Sequence, residues 1–373
     1  MKTDQHKFIE AYFNYHQRKL STTDVSEEIH LFAEICRQVK KRGKKLMFAG
    51  NGASASISSH AATDFTQHAR VRTVCFNDHN LLTCFGNDYG YENWVWRALE
   101  AYADEGDVAV LISSSGKSPN IVNAAKYAVE KGFPVVSFTG FSPDNPLRGY
   151  GNPSFWLQSK AYNAVECTHL AWVLTVANLL EHGQDDRQFA AEYLGKLMQL
   201  LQNMDCATEL VEFTDLCREV SNRGGKMIFA GNGGSASVAS HAAVDFTKGS
   251  RIRSVAFNDH NLMSAYSNDY GQDQWISRCI EDYADKGDAV VLMSCSGTSR
   301  NVIAAAEAAH AKNLPLVTLT GCDSQNMLRA QGAINFWIDS RNTNTVQIVH
   351  MILLFCVADL IAGEKEYFQE ANW

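Results

Sequence analysis

The sequence has no paired-cysteine motif. Its ten cysteines include no C-x-x-C spacing, which excludes a zinc ribbon. Cys75, Cys84 and Cys356 sit in apolar runs, and thiols at this density predict buried cysteines in a reducing cytoplasm. No apolar run approaches the ~20 residues of a membrane span, so no membrane partner is expected. The opening MKTDQHKFIEAYF carries no signal-peptide core. There is no basic block, and the net charge is -8, which argues against nucleic acid or anionic lipid as partner. G-x-G-x-x-G and G-x-x-x-x-G-K-[ST] are both missing, so no nucleotide cofactor is expected. What remains is a chain of 373 residues, 46% hydrophobic and 20% charged, long enough for two full cores.

The dominant positive feature is a repeat. Residues 48–66 read FAGNGASASISSHAATDFT, and residues 229–247 read FAGNGGSASVASHAAVDFT, with differences at only four of 19 positions. The offset of 181 also matches Phe76–Asn80 to Phe257–Asn261, Asn87–Gly90 to Asn268–Gly271, Ser113 to Ser294, and His169 to His350. So long a period indicates duplicated domains rather than a solenoid. The expected division is residues 1–185 and 186–373, in the polar stretch Glu181 to Arg187.

Each half reads as amphipathic helices followed by uninterrupted apolar strands alternating with helices. The strands expected are 45–49, 73–76, 107–112 and 134–139 in the first half, and 226–230, 254–257, 288–293 and 315–320 in the second. Such strands predict a parallel sheet covered on both faces, hence an α/β fold of two tandem doubly wound domains. Ligands then sit beyond the strand C-termini.

Two loops per half stand at that edge. One holds Asn51 and Ser54 (Asn232 and Ser235 in the second half). The other holds Ser113, Ser114, Ser115 and Ser118 (Ser294, Cys295, Ser296 and Ser299). Each follows a strand and opens a helix, where unsatisfied N–H groups and the helix dipole attract anions. Serine hydroxyls add donors and glycine permits close approach. A serine cluster of this kind suits the phosphate monoester of a small molecule. Acid–base candidates lie on the flanking helices. His60 and Asp64 share a helix face at i, i+4, repeated as His241 and Asp245; Glu166 and His169 are at i, i+3, repeated as Gln347 and His350. Two helices offering such pairs also suit a metal. The tryptophans Trp94, Trp96, Trp156, Trp275 and Trp337 are expected in the core or at interfaces.

In combination, the GNG[AG]S loop, His60 and Asp64, the GNDYG turn and the S-x-S-G-x-S loop resemble the sugar isomerase (SIS) family, and within it the phosphoheptose isomerases. The resemblance implies that both serine loops bind a sugar phosphate. It also implies aldose–ketose isomerisation of sedoheptulose 7-phosphate through an enediol, in surface-polysaccharide precursor metabolism. His60, Asp64 and Glu166 correspond to a His, a Glu and a Gln that help bind zinc, the Glu serving as acid/base. His241, Asp245 and Gln347 repeat them, so these six form the implied zinc set. The chain departs from the family at Asp64 and Asp245, one methylene short, and at Leu174 and Phe355, which replace a zinc-binding catalytic histidine. His169 and His350 are the candidates to replace it. Glu166 opposite Gln347, and Lys117 opposite Thr298, predict two non-equivalent sites, the first half being better equipped for catalysis. In single-domain relatives the site lies between subunits, so a fused pair implies an interface built within one chain and a homodimer of four SIS domains. A non-catalytic phosphosugar-binding protein and an aminosugar phosphate isomerase or deaminase are the alternative readings.

Overall fold

The computed structural model describes residues 2–182 and 185–368. The first half runs α1 (Lys2–Thr22), α2 (Ser26–Lys41), β1 (Leu46–Ala49), α3 (Ala53–Gln67), β2 (Thr73–Cys75), α4 (His79–Tyr89), α5 (Trp94–Tyr102), β3 (Val108–Ser113), α6 (Pro119–Glu130), β4 (Val135–Gly140), β5 (Ser154–Leu157) and α7 (Tyr162–His182). The second runs α8 (Asp186–Gln202), α9 (Ala207–Asn222), β6 (Met227–Gly231), α10 (Gly234–Lys248), β7 (Ser254–Ala256), α11 (His260–Tyr270), α12 (Trp275–Tyr283), β8 (Ala289–Ser294), α13 (Arg300–Ala311), β9 (Leu316–Gly321), β10 (Ile334–Ile338) and α14 (Thr343–Ala362).

Each half forms a five-stranded sheet, in the orders β2-β1-β3-β4-β5 and β7-β6-β8-β9-β10. Every pairing is parallel; Leu46 faces Val108 and Ser113 faces Thr139 in the first sheet. Every residue of β1, β3 and β4 is buried, as continuous apolar strands covered on both faces require. The expected α/β doubly wound architecture is therefore present twice. The strand order reverses beside β1, so the loops after β1 and β3 leave in opposite directions and open a crevice at the carboxyl edge of the sheet. The equivalent crevice opens between β6 and β8. The edge strands β5 and β10 are short and only half buried, and their weak pattern explains why four strands rather than five are legible in each half.

The compact units differ from a division at residue 185. One comprises His16–Gln199; the other comprises the residues up to Tyr15 together with those from Leu200 onward. Side chains account for this. Arg37 makes a two-armed ion pair with Asp186 at the head of α8, and His30 Nδ1 lies 2.8 Å from the same carboxylate. Asp186 is thereby held below the ordinary carboxylate range, chiefly by the Arg37 hydrogen bond. At the start of α1, the Tyr12 hydroxyl donates to the Ile352 carbonyl at 2.9 Å, and Phe8 packs edge-on against Tyr367 at 5.6 Å. Each copy's leading helix thus begins with the other copy's fold.

One helix corrects the expectation that no run matches a membrane span. Thr343–Ala362 is long and apolar enough by length and composition, but 83% of its apolar window is buried within the protein. It is a core helix covering its own sheet. Trp94 and Trp275 are buried core residues as expected, whereas Trp156 and Trp337 are half-buried beneath the guanidinium groups of Arg148 and Arg329.

Candidate functional site

In the first half the two loops are bolted together. Asn51 Nδ2 donates to Asn120 Oδ1 at 2.9 Å, and Asn120 Nδ2 donates back to Asn51 Oδ1 at 2.8 Å. This reciprocal amide pair joins the β1–α3 loop to the first turn of α6, and the Tyr91 hydroxyl adds a 3.0 Å bond to Asn51 Oδ1. Asn51 therefore positions the loops, because its amide is already engaged. Asn232 and Asn301 repeat the pair at 2.9 and 2.8 Å. Asn120 and Asn301 were not singled out from the sequence, although asparagine kept at both positions 181 apart was a readable signal.

The serine loop is shaped by Gly116, at φ +63. A Cβ there would stand 1.9 Å from Asn145 Oδ1, so the close approach admits only glycine. The buried Asn145 amide donates to Ser142 O at 2.8 Å and accepts from Arg148 N at 3.1 Å, buttressing the loop from below. Ser113 Oγ and Ser118 Oγ lie 3.1 Å apart, and Ser118 gives α6 no side-chain cap. The first turn of α6 thus keeps its anion-attracting character, with Ser113, Ser115 and Ser118 around it. Ser54 is buried, with its carbonyl taken by Ser58 Oγ at 2.8 Å.

Ser114 is employed differently from its neighbours. Its hydroxyl donates to Glu166 Oε1 at 3.0 Å, in a bond buried between the loop and α7. In the second half Cys295 and Gln347 occupy these two positions, and both members of the pair have changed together. The Cys295 thiol lies 3.9 Å from Ser235 Oγ and 3.7 Å from the Thr343 carbonyl, and burial pushes its pKa up to about 12. It is a neutral buried thiol rather than the phosphate donor expected from its place in the loop. Ser294 and Ser299 keep the 3.1 Å hydroxyl pair, and Ser296 is exposed, so the remaining serine cluster is retained.

His60 and Asp64 lie on one face of α3, both buried, with Nε2 3.9 Å from Oδ2. That distance is an ion-pair approach rather than a hydrogen bond. Asp64 Oδ2 has no hydrogen-bond partner among the described residues. His241 and Asp245 repeat the pair at 3.7 Å, with Asp245 more exposed. His169 is placed otherwise: it is fully buried, its Nε2 is 2.9 Å from the Thr139 carbonyl on β4, and burial lowers its pKa to about 4. His350 does the same with the Thr320 carbonyl at 3.2 Å. These are neutral core histidines fastening α7 and α14 to their sheets. In each ring Nε2 is taken by a strand carbonyl, and Nδ1 is buried with no hydrogen-bond partner among the described residues, so neither ring presents an exposed nitrogen in place of the family histidine.

Zinc takes at least three protein donors beside a water. Taken by itself, the first unit offers His60, Asp64 and a Glu166 already bonded to Ser114, while Leu174 is a fully buried alkyl group. The second unit by itself offers His241 and Asp245, the weaker amide of Gln347, and a Phe355 ring packed 4.3 Å from the His241 ring. Among the described residues neither set brings three ligand atoms together within one unit, so the donors of either unit alone do not fit a full zinc shell.

The SIS domain profile matches residues 11–140 and 192–321, two spans again 181 apart. The chain belongs to the SIS domain family and carries the domain in tandem. It is similar to phosphoheptose isomerase of Akkermansia muciniphila, with 34% identity over 160 residues, 41% of this chain and 84% of that protein. The phosphoheptose isomerase of Clostridium acetobutylicum is 40% identical over 120 residues, 31% of this chain and 61% of that protein. Among solved structures, the C-terminal domain of glucosamine-fructose-6-phosphate aminotransferase from Francisella tularensis superposes with a TM-score of 0.63 at 14% identity, covering 95% of this chain and 94% of that one. Glucosamine-6-phosphate deaminase of Thermotoga maritima gives 0.60 at 12% identity, covering 100% and 98%. These two likenesses show the tandem fold.

Proposed function

We propose that the chain is an aldose–ketose isomerase of a sugar phosphate such as sedoheptulose 7-phosphate, with the chemistry in the first half and phosphosugar binding alone in the second. The observation that carries this reading is the buried Glu166 carboxylate held by Ser114, one hydrogen bond from the serine loop. Ser113, Ser115, Ser118 and the start of α6 receive the phosphate. Glu166 takes the proton from the carbon beside the carbonyl of the open-chain sugar, giving an enediol, and returns it to the neighbouring carbon. The balancing proton moves between the two oxygens by way of solvent. The phosphoheptose isomerase relatives support the reaction class. In the second half Gln347 cannot act as a base and Phe355 covers His241, which favours binding without turnover there. Ten free thiols support a reducing cytoplasm, and the family resemblance supports a homodimer of four SIS domains.

The test incubates the full chain with sedoheptulose 7-phosphate, fructose 6-phosphate and glucosamine 6-phosphate. Aldose–ketose interconversion is expected, and Glu166→Gln should lower kcat by about 10²–10⁴-fold. Binding without turnover on any sugar would establish the non-catalytic reading, and ammonia release the deaminase reading. Activity that survives Glu166→Gln but is lost in Asp245→Asn would move the chemistry to the second half.

A further inference from the structure

We propose that Phe141 and Tyr162 form a stacking edge for the carbon skeleton of the phosphosugar bound by the first half, an edge the second half lacks. The proposal rests on the reading that the Ser113–Ser118 loop holds the phosphate. Phe141 directly follows β4 at the carboxyl edge of the sheet. Gly140 N donates to the Ser114 carbonyl at 2.8 Å, so Phe141 begins beside the serine loop, and Phe141 N donates to Ser159 O at 3.0 Å. Tyr162 is the first residue of α7, and its ring meets the Phe141 ring at 4.7 Å and 73°. One turn further along the same helix face stands Glu166, bonded to Ser114.

An edge-to-face aromatic pair ordinarily closes a core. Here Tyr162 is 57% exposed and Phe141 half-buried, which leaves aromatic surface beside the serine loop. The corresponding residues in the second half are Cys322 and Thr343. Phe141 and Cys322 share the left-handed backbone, at φ +58 and +53, so the turn belongs to the fold while the aromatic surface belongs to the first half only. A sugar presents C–H groups that pack on such rings while its hydroxyls stay hydrated. Inorganic phosphate has nothing to stack. The edge therefore selects for a phosphate ester carrying a carbon chain, and it makes the first site the more discriminating of the two.

The test titrates the full chain calorimetrically with fructose 6-phosphate and, separately, with inorganic phosphate. Tyr162→Thr, alone and with Phe141→Cys, installs the residues of the second half. The expected result is a loss of about 5- to 10-fold in fructose 6-phosphate affinity at one of the two sites, with phosphate affinity unchanged. Tyr162→Phe, which keeps the ring and removes the hydroxyl, should bind as the unmodified chain does. Equal weakening of both ligands, no weakening of either, or loss in Tyr162→Phe matching that in Tyr162→Thr would overturn the stacking edge alone. Failure of the unmodified chain to bind either ligand would overturn the phosphosugar reading and the edge with it.

Discussion

Gly116→Ala tests the architecture of the serine loop most directly. Two penalties arise. The residue sits at φ +63, a region that costs a residue bearing a Cβ about 1–2 kcal/mol. The new Cβ would also stand 1.9 Å from Asn145 Oδ1 and 2.2 Å from its Cγ, so the Asn145 side chain must leave. Leaving breaks its bonds with Ser142 O, Gly140 O and Arg148 N, at 2.8, 3.3 and 3.1 Å. At about 1 kcal/mol each, the total destabilisation is about 4–5 kcal/mol, which lowers the melting temperature by about 8–20 °C for a unit of this size. Gly43 separates the two penalties. It has φ +66 with nothing near its absent Cβ, so Gly43→Ala should cost only the backbone term of about 1–2 kcal/mol. Urea unfolding of Gly116→Ala, Asn145→Ala and the double variant completes the cycle. In the Asn145→Ala background, Gly116→Ala should cost no more than Gly43→Ala does. An equal cost in both backgrounds would refute the clash and leave only backbone strain. Gly297 and Asn326 stand at the same 1.9 Å, so the second half should repeat the pattern.

Other predictions concern ion pairs, pH and the amide bolt. Lys45 joins the buried Asp107 and the exposed Asp104; Lys45→Met should cost about 1.5–3 kcal/mol by removing the charged donor from Asp107, which keeps the backbone N–H groups of Lys45 and Asp104, whereas Asp104→Asn should cost less than about 1 kcal/mol, both read by urea unfolding. Burial lowers His169 and His350 to about 4 and His16 to about 3, against an ordinary value of 6.5. Between pH 6.5 and 4 the unfolded chain therefore takes up protons that the fold refuses. This stability is complete above pH 6.5 and is lost as pH falls toward 4, and His169→Gln with His350→Gln should flatten the drop in melting temperature across that window. Asn51→Ala and Asn120→Ala should each weaken phosphosugar binding, and the double variant little further, because one reciprocal pair is broken in every case; additive losses by titration would show that the two act separately.

The repeat and its offset, the buried central strands and the placement of two serine-rich loops at one sheet edge were all written in the sequence. Each depends on local patterning: an unbroken apolar run specifies a strand covered on both faces, and glycine and serine after it specify a turn into a helix. The family itself was legible from those loops together with His60 and Asp64. Tertiary structure decided which polar groups remain free for a ligand. Asn51 is paired 69 residues away, Ser114 52 residues away and His169 30 residues away. No pattern within a single element encodes such partners, so a loop asparagine, a loop serine and a helix histidine look equally available until the chain is folded. The same holds for Phe141 and Tyr162, whose meeting depends on where β4 ends and α7 begins in space. It holds too for the leading helices α1 and α8, whose amphipathic faces show that they are buried but not against which sheet; Asp186 on Arg37 and Tyr12 on Ile352 settle that through contacts 149 and 340 residues apart.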